Sequence, residues 1–208
     1  MIAARRIISD RRAKRLFPRG FVLAAPTALV APQKHLKAKI CLVGEVAVGK
    51  SSLIRRFVLD SFEDRYVATV GTKVTKKTIE VTWRGQPAQL DLIVWDIMGE
   101  RGFRTLLKEA YFHGAQAVLA ACDVTRRDTF YDLNNWINLS RQELGDVPIV
   151  FLANKVDLGD RVVVSREDLA RLGDQQLAPY FFTSAKSGEN VEEAFRAVAT
   201  AVVEHRSA

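Results

Sequence analysis

The 208-residue chain has only two cysteines, two methionines and three histidines, and its first 39 residues contain a single acid. Cys41 in "KICLVG" and Cys122 in "AVLAACDV" both sit in apolar runs. That excludes a disulfide framework and a thiolate metal cluster. The two thiols read as small core residues in a reducing compartment, so a cytoplasmic location is expected. No apolar stretch reaches the roughly 18 residues that cross a bilayer, and no transmembrane segment is expected. The closing "VVEHRSA" holds no cysteine to prenylate, so no lipid anchor is expected either.

The formal charge of +7 is unevenly spread. Residues 1–39 carry ten Lys/Arg against Asp10 alone, which leaves 21 Lys/Arg against 23 acids in the rest of the chain. The main part therefore lacks the basic face of a nucleic-acid-binding domain, and no nucleic acid is expected there. Residues 1–37 form a basic leader, Arg-rich in "ARRIISDRRAKRLFPRG" and broken by Pro26 and Pro32 in "FVLAAPTALVAPQ". Three readings of it stay open: an arm weakly attracted to anionic membrane, a segment similar to an organelle transit peptide, or a disordered extension. A secretory signal is not expected, because Pro26 interrupts the apolar run.

Residues 38–208 alternate apolar runs with amphipathic segments. The runs "KICLVGE", "TKVTKKTIEVTW", "AQLDLIVWD", "AQAVLAACDV", "VPIVFLANK" and "YFFTSA" predict six strands. Helices are predicted over Lys50–Leu59, Arg101–Phe112, Thr129–Leu144, Ser165–Gln176 and Val191–His205. Near-continuous apolar strands between helices predict a three-layer α/β domain with a mainly parallel six-stranded sheet. The "TWRGQPAQ" turn, with Gly85 at its tip, predicts one antiparallel edge strand. Ligands of such sheets bind beyond the C-terminal ends of the strands.

Four strand-end motifs carry chemistry. "GEVAVGKS" has the spacing G-x-x-x-x-G-K-S between a strand and a helix, the context of a phosphate-binding loop. Gly44, Glu45, Val46, Ala47, Val48 and Gly49, with Lys50, Ser51 and Ser52 opening the helix, would wrap phosphates in backbone N–H groups. Lys50 would reach the β/γ-phosphates and Ser51 would ligate Mg²⁺. Asp96, ending "LDLIVWD", suits a metal contact beside that loop. In "NKVD", Asp157 can accept from the two donors of guanine that adenine lacks, while Lys155 covers the base and Asn154 ties the loops together. "TSAK" adds Ser184, Ala185 and Lys186, with a backbone N–H for the guanine O6.

"GEVAVGKSSL", "YVATVG", "WDIMGERGFRTL…YFHGA", "CDVTRRDTF", "NKVDL" and "SAKSGENVEEAF" together resemble a Ras-superfamily small GTPase of the Rab-like branch, prokaryotic Rab-like GTPases included. The resemblance covers residues ~38–206 and implies the P-loop GTPase fold, GTP/GDP and Mg²⁺ as ligands, and slow hydrolysis of GTP. It also implies roles for four further residues. Thr69 would be a switch I metal ligand, Phe62 would pack on the guanine, and Tyr66 would lie over the phosphates. Gly99 would place its N–H on the γ-phosphate, and a protein effector or regulator would read switch I (about Phe62–Thr72) and switch II (about Asp96–Leu107).

Two residues depart from the family pattern. Glu100 stands where the family has a water-orienting glutamine. It can accept a hydrogen bond from water, but it also adds negative charge beside the γ-phosphate, so support and blockade of hydrolysis both stay open. Val46 stands where the family has a small residue, and it either crowds an arginine offered by a partner or packs on a rearranged switch II. The catalytic set is thus Lys50, Gly99 and Glu100, and the metal set Ser51, Thr69 and Asp96. The alternative function is a GTP-holding scaffold that does not turn over. Arg126 and Arg127 in "TRRDTF" are expected to be solvated loop residues, and Trp83, Trp95 and Trp136 packing residues.

Overall fold

Six strands form one sheet: β1 (Lys34–Val43), β2 (Thr72–Trp83), β3 (Gln86–Ile97), β4 (Ala117–Asp123), β5 (Ile149–Asn154) and β6 (Tyr180–Thr183). Their spatial order is β2-β3-β1-β4-β5-β6. The computed structural model describes residues 34–63, 69, 71–99 and 109–207, all within the unit Gln33–Ala208. Every pairing is parallel except β2 with β3, so the mainly parallel sheet with one antiparallel edge strand is as expected. Arg84 and Gly85 join that hairpin, both at positive φ (49° and 75°), the twist a two-residue turn needs.

Side chains alternate between the two faces of the sheet, as strand geometry requires. Ile40 and Leu42 of β1 enter one core with α1 (Lys50–Leu59) and α5 (Val191–His205), where the Phe57 and Phe195 rings stack at 4.1 Å. Cys41 and Val43 enter the other core, with Trp136 and Ile137 of α3 (Leu133–Leu144) and Leu169 and Leu172 of α4 (Arg166–Gln176). Helices on both faces make three layers. Both cysteines are free and buried, and burial pushes each thiol up to about 12. The edge strand β2 keeps Lys73 and Lys76 outside the core; such charges oppose edge-to-edge pairing.

Two boundaries differ from expectation. β1 begins at Lys34 rather than Lys39, because Lys34 to Ala38 pair along Ala88 to Leu92 of β3. The single helix expected over Thr129–Leu144 is two, α2 (Arg127–Tyr131) and α3, parted at Asp132. The Asp132 carboxylate accepts from Asn135 Nδ2 at 2.8 Å, a local bond that competes with helix continuity. The helix expected over Arg101–Phe112 lies partly outside the described residues; its 109–112 end is helical, and Gly114 follows at φ 71°. Among the described residues no helix is long and apolar enough to cross a membrane.

Candidate functional site

The sheet register sets the site. Asp96 lies beside Leu42, and Asp123, Asn154 and Thr183 lie side by side at the ends of β4, β5 and β6. The loops that follow these strands open on one edge, around a cavity of about 310 Å³.

The loop after β1 admits only glycine at two places. Gly44 has φ 138°, and a Cβ there would lie 2.1 Å from the Ala121 carbonyl oxygen. Gly49 has φ 99°, and its Cβ would lie 2.3 Å from Asn154 Nδ2. From Gly44 to Val48, five successive carbonyls accept hydrogen bonds from side chains. Lys50 Nζ donates to Gly44 O and Glu45 O, both at 2.8 Å. Arg126 Nη2 donates to Val46 O at 2.8 Å, Lys155 Nζ to Ala47 O at 2.7 Å, and Asn154 Nδ2 to Val48 O at 2.8 Å. A trans peptide sets its N–H opposite its carbonyl, so the N–H groups of Ala47, Val48 and Gly49 turn away from these three donors. The result is a concavity at the N-terminus of α1 whose geometry suits an anion. Lys50 is buried there, and burial, opposed by Asp96 and reinforced by Arg126, lowers its ammonium to about 8. A buried cation in this position is suited to an anionic ligand.

Beside it, Ser51 Oγ donates to Asp96 Oδ2 and lies 3.0 Å from Thr69 Oγ1. Asp96 is 1% exposed, and its Oδ1 has no hydrogen-bond partner among the described residues. Burial pushes its carboxyl up, against the pull of Ser51, Lys50 and Lys73. Two hydroxyls and an under-satisfied carboxylate are an all-oxygen set that fits a hard divalent cation completed by ligand and water oxygens. Gly99 packs directly on the phosphate-type loop, where a Cβ would come within 2.6 Å of Glu45 C and Val46 N.

At the other end, Asn154 Oδ1 accepts from Ala185 N at 3.2 Å and Thr183 Oγ1 at 3.3 Å, while its Nδ2 holds Val48. One buried amide thus ties three loops. Asp157 Oδ1 accepts from Ser184 Oγ at 2.6 Å. Lys155, at φ 75°, aims its ammonium at Asp123 Oδ2, 2.7 Å away.

Of the residues proposed from sequence, Val46, Ala47, Gly49, Lys50, Ser51, Ser52, Phe62, Thr69, Gly99, Asn154, Lys155, Asp157, Ala185 and Lys186 line the cavity. Gly44, Glu45, Val48, Asp96 and Ser184 stand behind its wall, tied to lining residues through the bonds above. Tyr66 and Glu100 lie outside the described residues. Phe62 also packs on the core beside α1.

Four contributors had no role assigned from the sequence. Arg55 and Glu63 pair at the cavity rim. Arg56, on α1, donates from Nε to Ala185 O at 2.9 Å and from Nη2 to Lys186 O at 2.7 Å, bracing the "TSAK" loop. Asp123 is 2% exposed. Burial alone would raise its carboxyl, but Lys155 and Thr125 outweigh that and hold it below the usual range. Arg126 and Arg127 keep 38% and 43% of their side chains exposed, as the solvated reading expects, but both are also bonded. Arg126 bonds Asp123 and Val46, and Arg127 bonds Val163 O at 2.6 Å and Asp168 at 2.9 Å. The stretch "CDVTRRDTF" entered the resemblance, but nothing in it assigned a role to Asp123 beyond its strand-end position, or to the arginines.

The profile of the Ras family matches residues 39–204. The Ras-related protein RABD2c of Arabidopsis thaliana is 34% identical over 172 residues, covering 82% of this chain and 83% of that protein. The GTP-binding protein YPTM2 of Zea mays is 33% identical over 172 residues, covering 82% of each. The fold, the strand-end loops and these similarities agree: the chain belongs to the Ras family, as a Rab-like small GTPase.

Proposed function

We propose that the cavity takes GTP or GDP with Mg²⁺, and that the chain slowly converts GTP to GDP and phosphate as a molecular switch. The observation that carries this is the convergence of a buried lysine, an inward-turned N–H loop and an all-oxygen cluster at one end of a cavity that ends at Asp157. The carboxylate of Asp157 would accept from guanine N1–H and N2–H₂, and a backbone N–H of the "TSAK" loop would face O6. Adenine offers neither donor and would leave that carboxylate with Ser184 alone, a difference that favours guanine.

Hydrolysis is in-line attack of water on the γ-phosphorus. The bond to the β–γ bridging oxygen breaks, GDP leaves with the electron pair, and the water's protons end on phosphate and solvent. Lys50 and the loop N–H groups bind the oxygens on which charge collects. Ser51 and Thr69, with Asp96 behind them, would hold Mg²⁺, which would supply further positive charge. Gly99 N–H would sense the γ-phosphate, and a protein effector would read the surface around Phe62–Thr72, 96–107 and the exposed edge β2.

Single-turnover hydrolysis by protein preloaded with GTP and Mg²⁺, native against Glu100→Gln, tests the turnover. A measurable native rate that falls in the variant makes Glu100 the residue that orients water. GTP held unhydrolysed, with turnover restored by Glu100→Gln, makes that carboxylate a brake and overturns the slow-enzyme reading.

A further inference from the structure

The outward pull on the phosphate-type loop is shared by two cations and one buried acid. Arg126 Nη2 holds Val46 O at 2.8 Å while its Nε lies 3.2 Å from Asp123 Oδ2. The same Oδ2 lies 2.7 Å from Lys155 Nζ, which holds the next carbonyl, Ala47 O, at 2.7 Å. Oδ1 of Asp123 is fixed in turn by Thr125 N at 2.9 Å and Thr125 Oγ1 at 2.7 Å. Adjacent peptides of the loop are therefore gripped from outside by a bracket anchored on a side chain that is 2% exposed.

We propose that Arg126 is a positioning residue for the nucleotide's phosphates. Through its bond to Val46 O it turns the Val46–Ala47 peptide and holds the Ala47 N–H toward the cavity. A charged donor on a carbonyl also polarises the peptide, so that N–H becomes a stronger donor to phosphate oxygen. The arginine makes two bonds in different directions, one to the loop and one to Asp123. A lysine has one nitrogen at the end of its stem and reaches one partner well. A merely decorative surface arginine would contribute little, because exposed ion pairs are weak. Arg126 differs in that its partner acid is buried and its second bond ends on the ligand-binding backbone.

This inference rests on the guanine-nucleotide reading, and the experiment separates the two. The full chain is loaded with a fluorescent GDP analogue and Mg²⁺, and its release is followed after a chase with excess GDP. Native protein is compared with Arg126→Ala and Arg126→Lys, alongside ³¹P NMR of bound GDP and thermal melting. Arg126→Ala is expected to speed release about tenfold, the size of one charge-assisted hydrogen bond. Its bound-GDP phosphorus lines should shift, and Arg126→Lys should lie between it and the native protein. Release within twofold of native, or faster release with unmoved phosphorus lines, overturns the role of Arg126. Failure of the native protein to retain GDP overturns the functional reading instead.

Discussion

The two ends of the cavity are built by different means. The phosphate end is made of backbone: Gly44 and Gly49 are fixed by what a Cβ would strike, and the recognising groups are peptide N–H groups turned by Lys155, Asn154 and Arg126. The base end is made of side chains, with Asp157 set by Ser184 and the "TSAK" loop braced by Arg56. Backbone recognition reads any phosphate and tolerates no extra carbon. Side-chain recognition reads one base and can be re-aimed by one substitution.

That contrast predicts different failures at the two ends. Gly44→Ala drives a Cβ to 2.1 Å from the Ala121 carbonyl oxygen. It is expected to lower stability by about 2–4 kcal/mol and to abolish binding of guanine and xanthine nucleotides alike, read by thermal melting and titration calorimetry. Asp157→Asn should leave the fold intact and weaken GDP by about 100-fold while favouring xanthosine diphosphate. If Asp157→Asn instead weakened both nucleotides equally, the base end would not be a side-chain reader. Asn154→Ala removes the amide that joins the ends, and should cost about 2–3 kcal/mol of stability in chemical denaturation.

The smallest expected effect is on pH dependence. With Lys50 at about 8 in the nucleotide-free protein, bound phosphate raises its pKa by favouring the ammonium. Affinity is then complete below about pH 8 and falls as pH rises through it, by at most about tenfold per unit. A titration of GDP affinity between pH 7 and pH 9 checks this. Lys50→Arg, which stays charged, should flatten the profile.

The same contrast explains what could be read before the fold was known. The phosphate end was legible because glycine spacing, a following lysine and serine, and a preceding apolar run all report a local backbone path. "NKVD" and "TSAK" were legible because each sits at a strand end. Arg56 and Arg126 were not, because their partners lie 129 and 80 residues away and nothing in "RRFVLD" or "TRRDTF" distinguishes a braced arginine from a solvated one. The early start of β1 depends on pairing with β3, and the break at Asp132 on a buried carboxylate. The first is a tertiary effect overriding local pattern, and the second a local side-chain bond that periodicity does not report.

The most direct test of the account is the nucleotide that the purified chain carries. Protein prepared in Mg²⁺ without added nucleotide is denatured, and the released small molecules are separated and quantified against protein. The account predicts guanine nucleotide, mainly GDP with residual GTP, approaching one per chain. Adenine nucleotide in that place, or a chain that binds neither base after incubation with both, would contradict it.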